Sequence, residues 1–168
     1  MFIERSGEKA EILKNALEKS YSILSEQIDE EKRQENKNYM AFISYSQNDR
    51  PIAELLCRKL EEKGIRGWYA PRDILYGNYA KAIVSAISEC THFIVIISES
   101  SMQSEHVLNE IDMAFDQMKR GAVLLPFKID DRDLRAEFSY YLKRQQWMDA
   151  QTPPLETRME EFIRKVFR

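Results

Sequence analysis

The sequence is poor in the residues that build cross-links and metal sites. Cys57 and Cys90 are its only cysteines in 168 residues. A disulfide framework is therefore excluded, and the two thiols point to a reducing cytoplasm. His92 and His106 are the only histidines, which argues against a histidine-rich metal site, and no metal is expected. No apolar run approaches the ~18–20 residues of a membrane span. The longest, Phe93–Ile97, has the length of a strand. The N-terminus alternates charges and lacks the apolar core of a signal peptide. Positive charge is not in excess: 25 Lys and Arg stand against 28 Asp and Glu, a net charge of −3. A nucleic-acid binder would show a basic face, so neither nucleic acid nor membrane is expected as a partner.

Several catalytic signatures are also missing. No GxGxxG follows the first predicted strand, so a resident dinucleotide cofactor of Rossmann type is not expected. The chain has no GxxxxGK[ST] phosphate loop and no GxSxG nucleophile elbow. Cys57 lies mid-helix among Leu55, Leu56 and Leu60, and Cys90 precedes an apolar strand. Both read as packing residues rather than reactive thiols.

What is present is enough for one domain with an appendage. A chain of this length buries roughly 70% of its unfolded surface. Hydrophobic residues make up 43% and charged residues 32%, as in a globular protein with a polar surface. Residues 1–38 differ from the rest, with one glycine, no proline and many charges of both signs. Ala10, Leu13, Leu17, Tyr21, Leu24 and Ile28 recur at spacings of three and four, a helical stripe. Asp29–Asn38 is entirely polar and reads as a frayed helix end or a linker. The stripe has two readings: a helix packed on its own domain, or a short coiled coil or oligomerisation arm.

From residue 39 to 168 strand and helix patterns alternate. Met40–Tyr45, Ile65–Tyr69, Thr91–Ile97, Ala122–Ile129 and Gln146–Ala150 read as strands. Helices are expected from Pro51 to Gly64, over Tyr79–Glu89, Ser104–Arg120 and Leu155–Phe167. Asp130–Lys143 reads as irregular with room for a short helix. This alternation predicts an α/β fold with a parallel sheet of five strands flanked by helices. Ligands bind such sheets at the carboxyl ends of the strands. Those ends are Ser44–Asp49, Tyr69–Gly77 and Ser98–Ser104.

Three segments carry a resemblance. They are Phe42-Ile43-Ser44-Tyr45-Ser46 with Asn48-Asp49; Gly67-Trp68-Tyr69-Ala70-Pro71-Arg72-Asp73-Ile74 with Gly77; and Ser101-Met102-Gln103-Ser104-Glu105-His106-Val107-Leu108-Asn109-Glu110-Ile111. Their order and spacing resemble bacterial Toll/interleukin-receptor (TIR) domains over about residues 39–150. The resemblance implies a flavodoxin-like fold with an N-terminal helical extension, and a mobile loop at Ala70–Gly77. It further implies cleavage of NAD⁺ at the nicotinamide–ribose bond, with NAD⁺ as substrate rather than cofactor. The products would be ADP-ribose or a cyclic isomer. The family's catalytic glutamate ends an SxxSxxVxxE pattern, which here is Glu110. Many relatives carry tryptophan four residues earlier, where this chain has His106. Activation by self-assembly with other TIR domains as a homo-oligomer, and a role in prokaryotic antiviral defence signalling, follow from the resemblance alone.

Read from the residues, Val107, Leu108, Ile111, Ala114, Phe115 and Met118 form one apolar helix face. Glu110 lies roughly 100° from the centre of that face, at the edge of the core and on the side of His106. A carboxylate there points into a cleft or into water. Its chemistry suits NAD⁺ cleavage, because nicotinamide leaves a cationic pyridinium without needing a proton. A fixed carboxylate then stabilises the ribosyl cation.

Other candidates have paired readings. Ser44, Tyr45 and Ser46 contact the nicotinamide-side ribose or base, or they cap a strand end. Tyr69 stacks on a base, and Trp68 and Trp147 pack. Arg72 and Asp73 contact ligand phosphate or ribose, pair with a neighbouring subunit, or form a loop ion pair. Tyr79 and Lys81 begin a helix whose N-terminus favours phosphate. The alternative function is a non-enzymatic scaffold acting through TIR–TIR contacts. A module that binds NAD⁺ without cleaving it is a further alternative. A response-regulator-like domain, by resemblance to that family, would need an acidic pair after the first strand and a phosphoacceptor aspartate after the third, where this chain has Ser44-Tyr45-Ser46 and Ser98-Glu99.

Overall fold

The computed structural model describes residues 2–36, 38–70 and 78–167. It comprises two units, Met1–Glu35 and Asn36–Arg168. The first is helix α1, Phe2–Asn36. The polar stretch expected to fray or to form a linker from Asp29 continues this helix to Asn36. Glu, Lys, Arg and Gln are good helix formers, and no glycine or proline interrupts them. Loss of the apolar stripe there therefore does not end the helix.

In the second unit the elements are β1 (Met40–Ser44), α2 (Arg50–Glu62), β2 (Arg66–Trp68), α3 (Tyr79–Glu89), β3 (His92–Ile97), α4 (Glu99–Met102), α5 (Glu105–Gln117), β4 (Val123–Lys128), α6 (Ala136–Leu142), β5 (Met148–Asp149) and α7 (Leu155–Val166). The five strands are parallel, in the order β2-β1-β3-β4-β5. Local chemistry sets the boundaries. Pro51 opens α2, and Gly64, at φ 79°, turns the chain beyond its end. The Asn78 side chain accepts from the Lys81 amide at 3.2 Å to cap α3. Ser104 accepts from Val107 at 3.3 Å to cap α5. The short α4, opened by a reciprocal Ser98–Ser101 capping box, occupies part of what reads in sequence as a strand-end loop.

Both faces of the sheet are covered. Ala41, Ile43, Ile94, Ile96 and Phe127 pack under α2 and α7, among Leu56, Leu60, Met159 and Phe162. Phe42, Trp68, Phe93 and Val95 pack under α3 and α5, among Ile87, Val107 and Ile111. β3 contributes to both faces, which is why its sequence is continuously apolar. Each fully buried Val, Leu, Ile, Phe or Met among them contributes roughly 1.5–3 kcal/mol. In register across three strands, Trp68 stacks on Phe42 at 4.7 Å and Phe42 on Phe93 at 5.2 Å. Gly67 is required on β2, because a Cβ there would collide with the Cys57 sulfur of α2. At the opposite end of the sheet, the buried His92 ring lies between Tyr39, at 5.3 Å, and Phe167, at 4.4 Å. Burial lowers the His92 pKa to about 4.

Strand alternation places Met40, Phe42 and Ser44 on one face and Ala41 and Ile43 on the other. Ser44 thus points toward α5 from the carboxyl end of β1.

Candidate active site

Ser44 and Glu110 meet where β1 ends beneath α5. The Ser44 hydroxyl donates to Glu110 Oε2 at 2.6 Å. Ser44 is only 1% exposed, so its hydroxyl serves the carboxylate rather than an incoming ligand. Glu110 is partly buried. Burial pushes its pKa up to about 7, against the Ser44 hydrogen bond, which pulls it down. A glutamate at the edge of the α5 apolar face, drawn inward by the serine beneath it, is therefore poised between acid and carboxylate near neutral pH. Glu110 Oε1 has no hydrogen-bond partner among the described residues.

One phenol neighbours this pair, and a second, Tyr45, packs on the other face of the sheet. Tyr79, the first residue of α3, is 51% exposed. Burial of its hydroxyl region and the neighbouring Glu110 charge both raise its pKa. The Tyr45 hydroxyl donates to the Ala70 carbonyl, at the edge of the segment after β2. Burial is the main cause that raises its pKa to about 12, and Tyr79 adds to it. Tyr45 is thereby committed to holding the chain beyond β2. Tyr69 is 7% exposed and lies in the core under α2 and α7. The reading of a base-stacking Tyr69 is corrected: its ring is packed by the core. Ser46 is buried, and its carbonyl accepts from the Asp49 amide at 2.7 Å. His106 is exposed one turn before Glu110. Arg72 and Asp73 lie outside the described residues. Trp68 and Trp147 pack as expected; the Trp147 indole donates to the Leu142 carbonyl at 3.0 Å.

Sequence reasoning missed a second carboxylate at the same sheet edge. The Ser98 hydroxyl donates to Asp49 Oδ2 at 2.6 Å. Asp49 is 8% exposed. Its pKa is raised by burial first and by Asp130 in addition, while Ser98 lowers it. Asp130 in turn accepts from the Glu99 amide at 2.7 Å, and Arg132 pairs with Glu99 at 3.1 Å. These bonds lace the ends of β1, β3 and β4 together. The sequence signal was there: polar residues following adjacent parallel strands must meet. The strand order needed to use it was not.

A separate open cleft of about 630 Å³ lies beyond β4 and β5, lined by Lys128, Asp131, Arg132, Trp147, Asp149 and Gln151 among others. It shares no residue with the Glu110 group. Among the described residues, no three His, Cys, Asp or Glu side chains gather to hold a metal ion. No helix there is long and apolar enough to cross a membrane.

Comparison with known proteins bears on this geometry. The sequence profile of the TIR domain family matches residues 41–165. The fold is similar to that of the TIR domain of the Toll-related receptor TRR-2 from Hydra magnipapillata, at 20% identity and a TM-score of 0.54. That alignment covers 76% of this chain and 90% of the Hydra chain. It is also similar to the CMP N-glycosidase BcmB from Clostridium botulinum, at 16% identity and a TM-score of 0.54, over 75% of this chain and 98% of that one. No curated protein sequence matches the chain.

Proposed function

The chain belongs to the TIR domain family, and from that premise we propose that it cleaves the nicotinamide–ribose bond of NAD⁺. The observation that carries the reading is the Glu110 carboxyl, fixed by Ser44 at the carboxyl end of a parallel sheet. The C–N bond breaks with its electron pair going to the pyridinium nitrogen, so nicotinamide departs neutral. Positive charge develops on the ribosyl C1′ and its ring oxygen, and ionised Glu110 offsets it electrostatically. Water attacks C1′ and loses a proton to Glu110 or to solvent. The products are ADP-ribose, nicotinamide and one proton. Capture by a group of the same nucleotide would give a cyclic isomer instead. Tyr79, exposed beside Glu110, and His106, one turn earlier, border the space for the substrate.

The same fold carries N-glycoside cleavage in the Clostridium botulinum enzyme. That likeness supports the reaction class at the level of fold. We further propose that the protein acts in the cytoplasm as a homo-oligomer, in prokaryotic defence signalling.

The test is nicotinamide release from NAD⁺ by concentrated purified protein, with products weighed by mass spectrometry beside a Glu110→Ala control and a parallel incubation with CMP. Release that vanishes in the variant sustains the proposal. Release of cytosine from CMP alone moves the substrate to a pyrimidine nucleotide. No turnover by folded protein at any concentration favours the scaffold acting through TIR–TIR contacts.

A further inference from the structure

The cleft beyond β4 and β5 takes no part in the Glu110 chemistry, and strand alternation explains its walls. Leu125 and Phe127 pack under α2 and α7, so Lys128, the last residue of β4, projects from the opposite face. Trp147 and Leu134 border the core on that same face. Asp149, two residues after Trp147, shares its side. Together with Arg132 and Gln151 they line about 630 Å³ of open space, within the ~300–1,000 Å³ of small-molecule sites. The cleft lies at the carboxyl ends of the strands, where parallel sheets receive ligands.

Lys128 points to the kind of ligand. It is half-buried, and its ammonium makes no hydrogen bond or ion pair among the described residues. Asp149 is its register partner on β5 and carries the opposite charge, yet no ion pair closes between them. The cause is local. Asp149 Oδ1 accepts from the Gln151 amide at 3.0 Å, which holds the carboxylate to its own strand end. A half-buried cation without a counter-charge is a place for an anion. Arg132 gives one nitrogen to Glu99 at 3.1 Å and keeps further donors for the same anion.

The rest of the lining narrows the class. The Trp147 ring is held in orientation by its indole bond to the Leu142 carbonyl, and beside Leu134 it makes an apolar wall for a flat base. Asp131 and Asp149 are acceptors of the kind that hold ribose hydroxyls. Lys128 and Arg132 stand against Asp131, Asp133 and Asp149, which leaves one negative charge in excess. That balance disfavours a triphosphate or a nucleic-acid strand and suits a single phosphate.

We propose that this cleft is a second ligand site, which takes a nucleoside monophosphate with its base against Trp147, its ribose toward Asp149 and its phosphate on Lys128 and Arg132. It shares no residue with the Glu110 group, so the ligand is held there and not cleaved. The proposal is independent of NAD⁺ turnover.

The experiment titrates the full chain with AMP, by isothermal calorimetry and by tryptophan fluorescence. Trp68 is buried in the core, so a saturable fluorescence change that disappears in Trp147→Phe locates the ligand. Lys128→Met is expected to raise the Kd about tenfold or more, the loss of one charged contact. Arg132→Gln, at an exposed position, should raise it severalfold. Glu110→Gln should leave it unchanged. Far-UV circular dichroism must match wild type in every variant. Adenosine, inorganic phosphate and ATP should each bind more weakly than AMP. No saturable binding of AMP overturns the proposal. So does a Kd that Lys128→Met leaves unchanged, or one that rises in Glu110→Gln, which would put the nucleotide at the Glu110 group. Inorganic phosphate binding as tightly as AMP reduces the cleft to an anion site and overturns the nucleotide.

Discussion

Two serine–carboxylate pairs sit at the carboxyl ends of neighbouring strands, and both close at 2.6 Å. Their surroundings give them different uses. Ser98 is locked into a helix start: its hydroxyl donates to Asp49 while accepting from the Ser101 amide at 3.0 Å. Its amide is held in turn by the Ser101 hydroxyl at 2.8 Å. Asp49 is tied into this capped corner and serves as a brace. Ser44 donates to Glu110 Oε2, and the other carboxyl oxygen has no hydrogen-bond partner among the described residues, while the Glu110 charge raises the pKa of the exposed Tyr79. The lesson is that the bond itself does not distinguish structure from chemistry. What distinguishes them is whether the rest of the carboxylate is enclosed.

The largest test of this contrast is Glu110→Gln. Nicotinamide release should fall by about 10²–10³-fold or more, the loss typical of removing one preorganised group that offsets transition-state charge. The same change should stabilise the fold at alkaline pH. Glu110 has a folded pKa of about 7, above its ordinary value of 4.5. The folded state therefore binds the proton more tightly. That advantage is complete below pH 4.5, fades as pH rises through 7, and leaves an ionised, partly buried carboxylate as a cost above it. Gln carries no such cost, so urea unfolding at pH 8 should show a gain of about 2 kcal/mol. A similar gain at pH 4 would mean that ionisation is not its source.

Next comes Ser98→Ala, which strips the brace. It should cost about 1–3 kcal/mol in chemical denaturation by leaving Asp49 buried without its donor. Turnover per folded molecule should stay near wild type. A large loss of turnover with unchanged stability would break the contrast, because Asp49 would then belong to the chemistry.

Ser44→Ala is the smallest effect and the most discriminating. It should lower kcat about tenfold, consistent with about 1.4 kcal/mol, with little change in KM. The acid limb of the rate profile should also move upward, since Ser44 holds the Glu110 pKa down. In wild type that limb should rise through about pH 7, as the free carboxylate forms. An unmoved limb would make Ser44 ordinary packing.

Much of the framework was legible in the sequence. The unbroken Phe93–Ile97 run could only be a strand covered on both faces, and Tyr79–Glu89 is a helix with the limits its pattern implied. Glu110 was placed at a core edge by helix geometry alone. What escaped depended on adjacency or on weak local signals. The partnership of Ser44 with Glu110 needs both the alternation along β1 and the knowledge that α5 crosses that face. Asp49 and Ser98 needed β1 and β3 to be neighbours. Tyr69 carries a polar tip, which suggested a ligand contact, but its ring is large enough to be drawn into the core. The four residues of α4 have no room for a hydrophobic period and declare themselves only through capping.

The His92 ring held between Tyr39 and Phe167 joins the first residues of the sheet-bearing unit to the last turn of its closing helix. This buckle prevents peeling from either end. To loosen the last turn of α7, the chain must first pull the Phe167 ring from beside His92 on the strand at the sheet's centre. Acid undoes the clasp: below pH 6.5 the unfolded imidazole takes up a proton that the folded one refuses until about 4. The end of the sheet away from the Glu110 carboxyl is thus the one that this ring trio seals.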